Sequence, residues 1–133
     1  MSADAGVVDE VCVELPQDAR APSVARRVVG ATLERWGLTP LLDRALLVVS
    51  ELSANAVRHG VPPVRLLLQR YDSRLRLALH DHDSTPPTLA PDEVSTDATS
   101  GRGMLLVSAS ADDNGVTEYP GDGKDVWADI RTP

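Results

Sequence analysis

The spacing of apolar residues switches along the chain between a period of two and one of about 3.6, and the switches divide it into elements. Val11, Val13 and Leu15 alternate with Cys12 and Glu14, which predicts a first strand ended by Pro16. After a turn region from Pro16 to Pro22, Ser23 is placed to cap a helix in which Val24, Val28 and Ala31 share a face. Val29, Leu33 and Trp36 lie close beside that face. Gly37 stands where a left-handed residue would end such a helix. Thr39 before Pro40 predicts a second start, a capping hydroxyl ahead of a proline at the first helical position, and Gly60 with Pro62 and Pro63 closes that helix.

Val64 to Arg70 and Arg74 to Asp81 are short alternating runs joined by Tyr71, Asp72 and Ser73, which predicts an antiparallel hairpin. From His82 to Ser100 large apolar residues almost disappear in favour of Pro, Thr, Ser, Asp and Ala. A loop of that length inside a compact domain has either a function, such as a lid, or the character of a disordered connector. Met104 to Ala109 is an apolar third helix expected to end near Asp113, Asn114 and Gly115. Val116 to Tyr119 and Asp125 to Ile130 form a final pair of strands turned by Pro120 to Gly123. About three helices and about five strands, mostly in neighbouring hairpins, predict an α+β two-layer sandwich on a mostly antiparallel mixed sheet, with the second helix against the sheet. The whole chain, residues 1–133, reads as one domain.

With 42% hydrophobic and 25% charged residues and no phenylalanine, the core must be largely aliphatic. A formal charge of -7 argues against non-specific binding to nucleic acid or an anionic membrane and for a protein partner or small ligand. The single cysteine, Cys12, provides neither a disulfide framework nor a cysteine metal site, and is expected as buried filler. The start of the chain lacks the pattern of a signal peptide, and no apolar run approaches the roughly 20 residues of a membrane span. A reducing cytoplasm is the simplest setting.

Three segments carry candidate chemistry. Within the second helix, Glu51, Asn55 and His59 recur every fourth position as a polar stripe, beside an apolar row of Val48, Leu52 and Ala56. A carboxylate one turn from an amide suits a metal-assisted phosphate site, because magnesium takes one or two protein ligands and completes its shell with water and phosphate oxygens. The same stripe is also what an ordinary solvated helix face looks like. Asp81, at a strand end, is either an acceptor for an exocyclic amine such as that of adenine or a simple turn former. Gly101-Arg102-Gly103 before a helix permits close backbone approach to an anion, or is a loop hinge. Arg102 either reaches a phosphate or is solvated, and His59 fits best as a partner for the last carbonyls of its helix. The phosphate-loop pattern and the three-glycine dinucleotide fingerprint are both absent.

The order of these segments resembles the GHKL ATP-binding fold shared by gyrase, histidine kinases and the mismatch-repair MutL proteins, and most of all its small stand-alone anti-sigma factors with serine kinase activity. Glu51-Leu52-Ser53-Ala54-Asn55-Ala56-Val57-Arg58-His59-Gly60 looks like the family's N box. Leu79-His80-Asp81-His82-Asp83-Ser84-Thr85-Pro86-Pro87 looks like the first glycine box, and Gly101-Arg102-Gly103-Met104-Leu105-Leu106-Val107 like the second. The resemblance implies a Bergerat-type fold in which Asn55 holds Mg2+, Glu51 is the catalytic or water-positioning carboxylate and Asp81 reads the adenine amine. It implies that Gly101 and Gly103 border the triphosphate, that Pro87, Arg102 and Met104 belong to the same ATP site, and that 82–100 is the lid. It further implies a sigma factor and an anti-sigma-factor antagonist as partners, and a homodimer. Asp83 stands where the first glycine box normally has glycine, and a second carboxylate there would repel phosphate.

Two other readings compete. His80-Asp81-His82-Asp83 is a possible metal-ligand run, but in a strand the two histidines face one way and the two aspartates the other. The other keeps the fold and removes the catalysis, leaving an ATP-binding module that acts through protein contacts alone. A histidine kinase fragment is disfavoured because no dimerising helical pair precedes the domain.

Overall fold

The computed structural model describes residues 6–83 and 105–133. Five strands form one sheet in the order β1-β2-β3-β5-β4: β1 (Asp9–Leu15), β2 (Val64–Arg70), β3 (Arg74–Asp81), β4 (Asp113–Tyr119) and β5 (Gly123–Arg131). Among the described residues every pairing is antiparallel, in keeping with the mostly antiparallel sheet expected from the sequence. Hairpin turns join β2 to β3 and β4 to β5, and among the described residues no two strands pair in parallel. Helices α1 (Ala21–Arg35) and α2 (Leu42–His59) pack on one face, and residues 105–110 are helical. This is the predicted α+β sandwich.

The buried layer is aliphatic. Leu66 and Leu68 of β2, Leu75, Leu77 and Leu79 of β3, and Ala128 and Ile130 of β5 point at Val29 and Leu33 of α1 and at Val48, Val49 and Leu52 of α2. The period-two runs place these side chains on one sheet face, and the helical rows meet them.

Helix ends differ from expectation. α1 begins two residues before Ser23: Pro22 sits in its first turn, and the turn is shaped by Asp18, whose carboxylate accepts the Arg20 N–H (2.9 Å) and guanidinium. Arg20 holds the Asp18 carboxyl down at about 2. Thr39 does not cap α2; Thr39–Leu41 is a 3-10 turn, and α2 starts after Leu41, a residue only 5% exposed that anchors the entry by burial. The end of α1 follows the sequence: Gly37 takes φ 69°, and the Leu38 and Gly37 N–H groups donate to Leu33 and Glu34. That pairing closes the helix in a Schellman motif.

Asp113, Asn114 and Gly115 open β4 and do not end a helix, because their partners Asp129, Ala128 and Trp127 continue the ladder of β5. Cys12 is exposed and not buried, since it points to the sheet face opposite the helices.

Candidate functional site

The C-terminal end of α2 and the end of β3 converge. Gly60 caps α2 in extended geometry, its N–H donating to Ala56 (2.7 Å), and a side chain at 60 would collide with the Ala56 carbonyl and the Asp81 side chain. The chain then lashes to β3: His82 N–H donates to the Val61 carbonyl (2.9 Å), and Val61 N–H makes a long contact with Asp81 Oδ1 (3.5 Å). Asp81 shares the helix-facing register of Leu75, Leu77 and Leu79 and is 2% exposed. A carboxylate so far from water needs hydrogen bonds or countercharge. Its Oδ1 accepts the Asp83 N–H at 2.8 Å, and its Oδ2 lies 3.8 Å from Lys124 Nζ.

Glu51 and Asn55 are half-buried on the flank of α2, and His59 is exposed. The apolar row beside them, Val48, Leu52 and Ala56, is buried. Among the described residues neither Glu51 nor Asn55 forms a side-chain hydrogen bond or ion pair. Both are partly shielded, and Asn55 sits about 7.5 Å along the helix axis from the cap that touches Asp81. Among the described residues no group of three or more His, Cys, Asp and Glu is arranged to hold a metal by itself. The donor set, one amide oxygen beside an unpartnered carboxylate, fits a magnesium ion that brings phosphate and water oxygens with it.

Pro87, Gly101, Arg102, Gly103 and Met104, and positions 84–100 of the expected lid, lie outside the described residues. Of the expected site residues the structure describes Glu51, Asn55 and Asp81, and it places Asp81 against the end of α2. The histidines separate from the aspartates as the alternation requires: His80 Nδ1 lies 2.7 Å from Asp125 Oδ1 on the open sheet face, with the His82 ring 5.1 Å from it, while Asp81 and Asp83 turn to Lys124.

Two residues escaped the sequence reading. Gly123, at φ 86°, lets the start of β5 press on the Asp81 carbonyl, where any side chain would clash. Lys124 pairs in register with Asp81 and reaches Asp83 Oδ2 at 3.2 Å. Its only advance signal was being the sole lysine of the chain.

A helical layer on an open antiparallel sheet, with a polar helix flank ending against a buried strand-end aspartate, is the arrangement of an ATP-binding domain of the histidine kinase type. The family model for the histidine kinase-like ATPase domain matches residues 15–130, and the chain belongs to that family. A search of curated proteins returns no match.

Proposed function

We propose that the protein binds Mg-ATP between α2 and the end of β3 and transfers the terminal phosphoryl group to a serine or threonine of a protein partner. The observation that carries this reading is the pair of half-buried side chains, Glu51 and Asn55, without a partner among the described residues, on the helix whose cap touches buried Asp81. Asp81 receives the adenine amine. Asn55 would hold a magnesium ion through its amide oxygen, and the chemistry such an ion would supply there is neutralisation of charge on the triphosphate. Glu51 takes the proton of the attacking hydroxyl as its oxygen bonds to the γ-phosphorus, and the bond from that phosphorus to the β,γ-bridging oxygen breaks to release ADP.

The resemblance to small anti-sigma factors supports an anti-sigma-factor antagonist as the phosphoacceptor, a sigma factor as the regulated partner, and a cytoplasmic setting. Asn55→Ala should abolish Mg-ATP binding by calorimetry; unchanged affinity would sink the assignment. Glu51→Gln should keep ATP affinity within about threefold while transfer of labelled phosphate to the antagonist is lost, as expected for a group that acts only in the chemical step. Asp83 favours the second reading, an ATP-binding module without phosphotransfer. Wild-type protein that binds ATP yet labels no partner in the native extract would establish it.

A further inference from the structure

The two oxygens of the Asp81 carboxylate are treated differently. Oδ1 accepts the Asp83 N–H at 2.8 Å and a long contact from the Val61 N–H at 3.5 Å. Among the described residues no group donates a hydrogen bond to Oδ2, and the cation beside it is Lys124, whose Nζ stands 3.8 Å away. The Asp81 side chain is only 3% exposed, so its lost hydration has to be offset by opposite charge nearby. The backbone delivers that charge. Lys124 pairs in register with Asp81, shares the helix-facing side of β5 with Val126, Ala128 and Ile130, and follows Gly123, where a side chain would strike the Asp81 carbonyl. Asp83 Oδ2 accepts from the ammonium at 3.2 Å and helps to keep it there. Lys124 is thus close enough to act on Oδ2 by charge, yet too far to occupy its lone pairs.

We propose that Lys124 is a positioning residue for base recognition, the countercharge that holds the buried Asp81 carboxylate in place and leaves Oδ2 as the acceptor for the 6-amino group of the nucleotide. This inference rests on the ATP-binding reading above and deepens the part of it in which Asp81 receives the adenine amine. Without the lysine, a carboxylate so deeply buried lowers its free energy by turning toward water or toward its neutral form, and either change removes the acceptor. The effect of Lys124 therefore belongs to the amine. A purine that carries hydrogen in place of that amine gives Oδ2 nothing to accept, and its binding is insensitive to whether the acceptor is held.

The test compares, by calorimetry with magnesium, ATP and purine riboside triphosphate, which has the same ribose and phosphates and lacks only the 6-amino group. Wild type should prefer ATP. Lys124→Met should weaken ATP about tenfold and purine riboside triphosphate less than about threefold, so that the preference for the amine collapses. Lys124→Arg should bring ATP back to within about threefold of wild type, because the positive charge is kept. Equal losses for the two nucleotides, no loss for either, or no rescue by Lys124→Arg overturn this inference and leave the ATP reading standing. Wild-type protein that binds the two equally well overturns both the inference and the assignment of the amine to Asp81, and wild-type protein that binds neither overturns the ATP reading as well. Where Lys124→Met fails to fold, Lys124→Gln is read in the same way; loss of the fold in both makes the lysine structural and overturns the inference.

Discussion

Gly60 and Gly123 bring Asp81 to the site, each from a different direction. At 60 the obstacle to a side chain is the last turn of α2 and Asp81 itself; at 123 it is the Asp81 carbonyl, in a backbone conformation with φ 86° that side chains rarely adopt. Gly60→Val and Gly123→Ala should each lower stability by at least about 1 kcal/mol, measured by denaturant unfolding, and both should weaken ATP binding with no change at Asn55. Asp81 could be picked out in the sequence because a lone acid at the end of an alternating apolar run is conspicuous. Lys124 could not, since it lies 43 positions later and becomes its neighbour only through the pairing of β3 with β5. Cys12 was misjudged for a related reason: alternation gives two faces, and only the packed helices decide which one is buried.

Among the elements, α2 carries most of the argument and was the most legible. Its buried row, Ala45, Val48, Val49, Leu52 and Ala56, follows the helical period, and its polar flank follows the complementary one. Leu52, 1% exposed, should cost about 2–5 kcal/mol on truncation to alanine, read as a lowered denaturation midpoint. Beginnings of helices were less legible because burial of Leu41 and the Asp18–Arg20 turn do the work that capping hydroxyls were expected to do. The helical segment 105–110 is tied to its neighbours by Asp112, which accepts the Arg131 N–H (2.7 Å) and the Arg44 guanidinium, while Arg44 also donates to the Ser110 carbonyl (2.8 Å). These bonds, first the Arg131 N–H and then Arg44, hold the Asp112 carboxyl below its usual 3.8. A depressed folded value means the contribution is present above 3.8 and lost as pH falls through the lower folded value. Asp112→Asn should therefore melt below wild type at pH 7, and the gap between the two should shrink in thermal scans as pH falls below 3.8.

On the scale of the whole molecule, the helices cover one sheet face and leave the other lined by polar contacts. There Asp129 pairs with Arg74 (2.8 Å) and Arg76 (2.7 Å), Arg76 lies 4.1 Å over the Trp127 ring, and Tyr119 donates to Asp125. Burial and the Asp125 carboxylate push the Tyr119 phenol up. The paired charges explain how an open sheet face carries so many ionisable side chains, and Asp129→Ala should destabilise the fold while leaving ATP affinity within about threefold, because both arginines lie on the face away from α2.

What the sequence determined by itself was the succession of elements and the aliphatic character of the core, because period, turn chemistry and strand ends are local properties of a chain. What only the tertiary structure decided was adjacency: that the strands of the described residues all pair antiparallel, that the α2 cap meets Asp81, and that a lysine from the last strand stands beside Asp81 at the end of the third strand and Asp83 just beyond it. Adjacency depends on which strands pair and in what register, and that is set by the packing of the whole core.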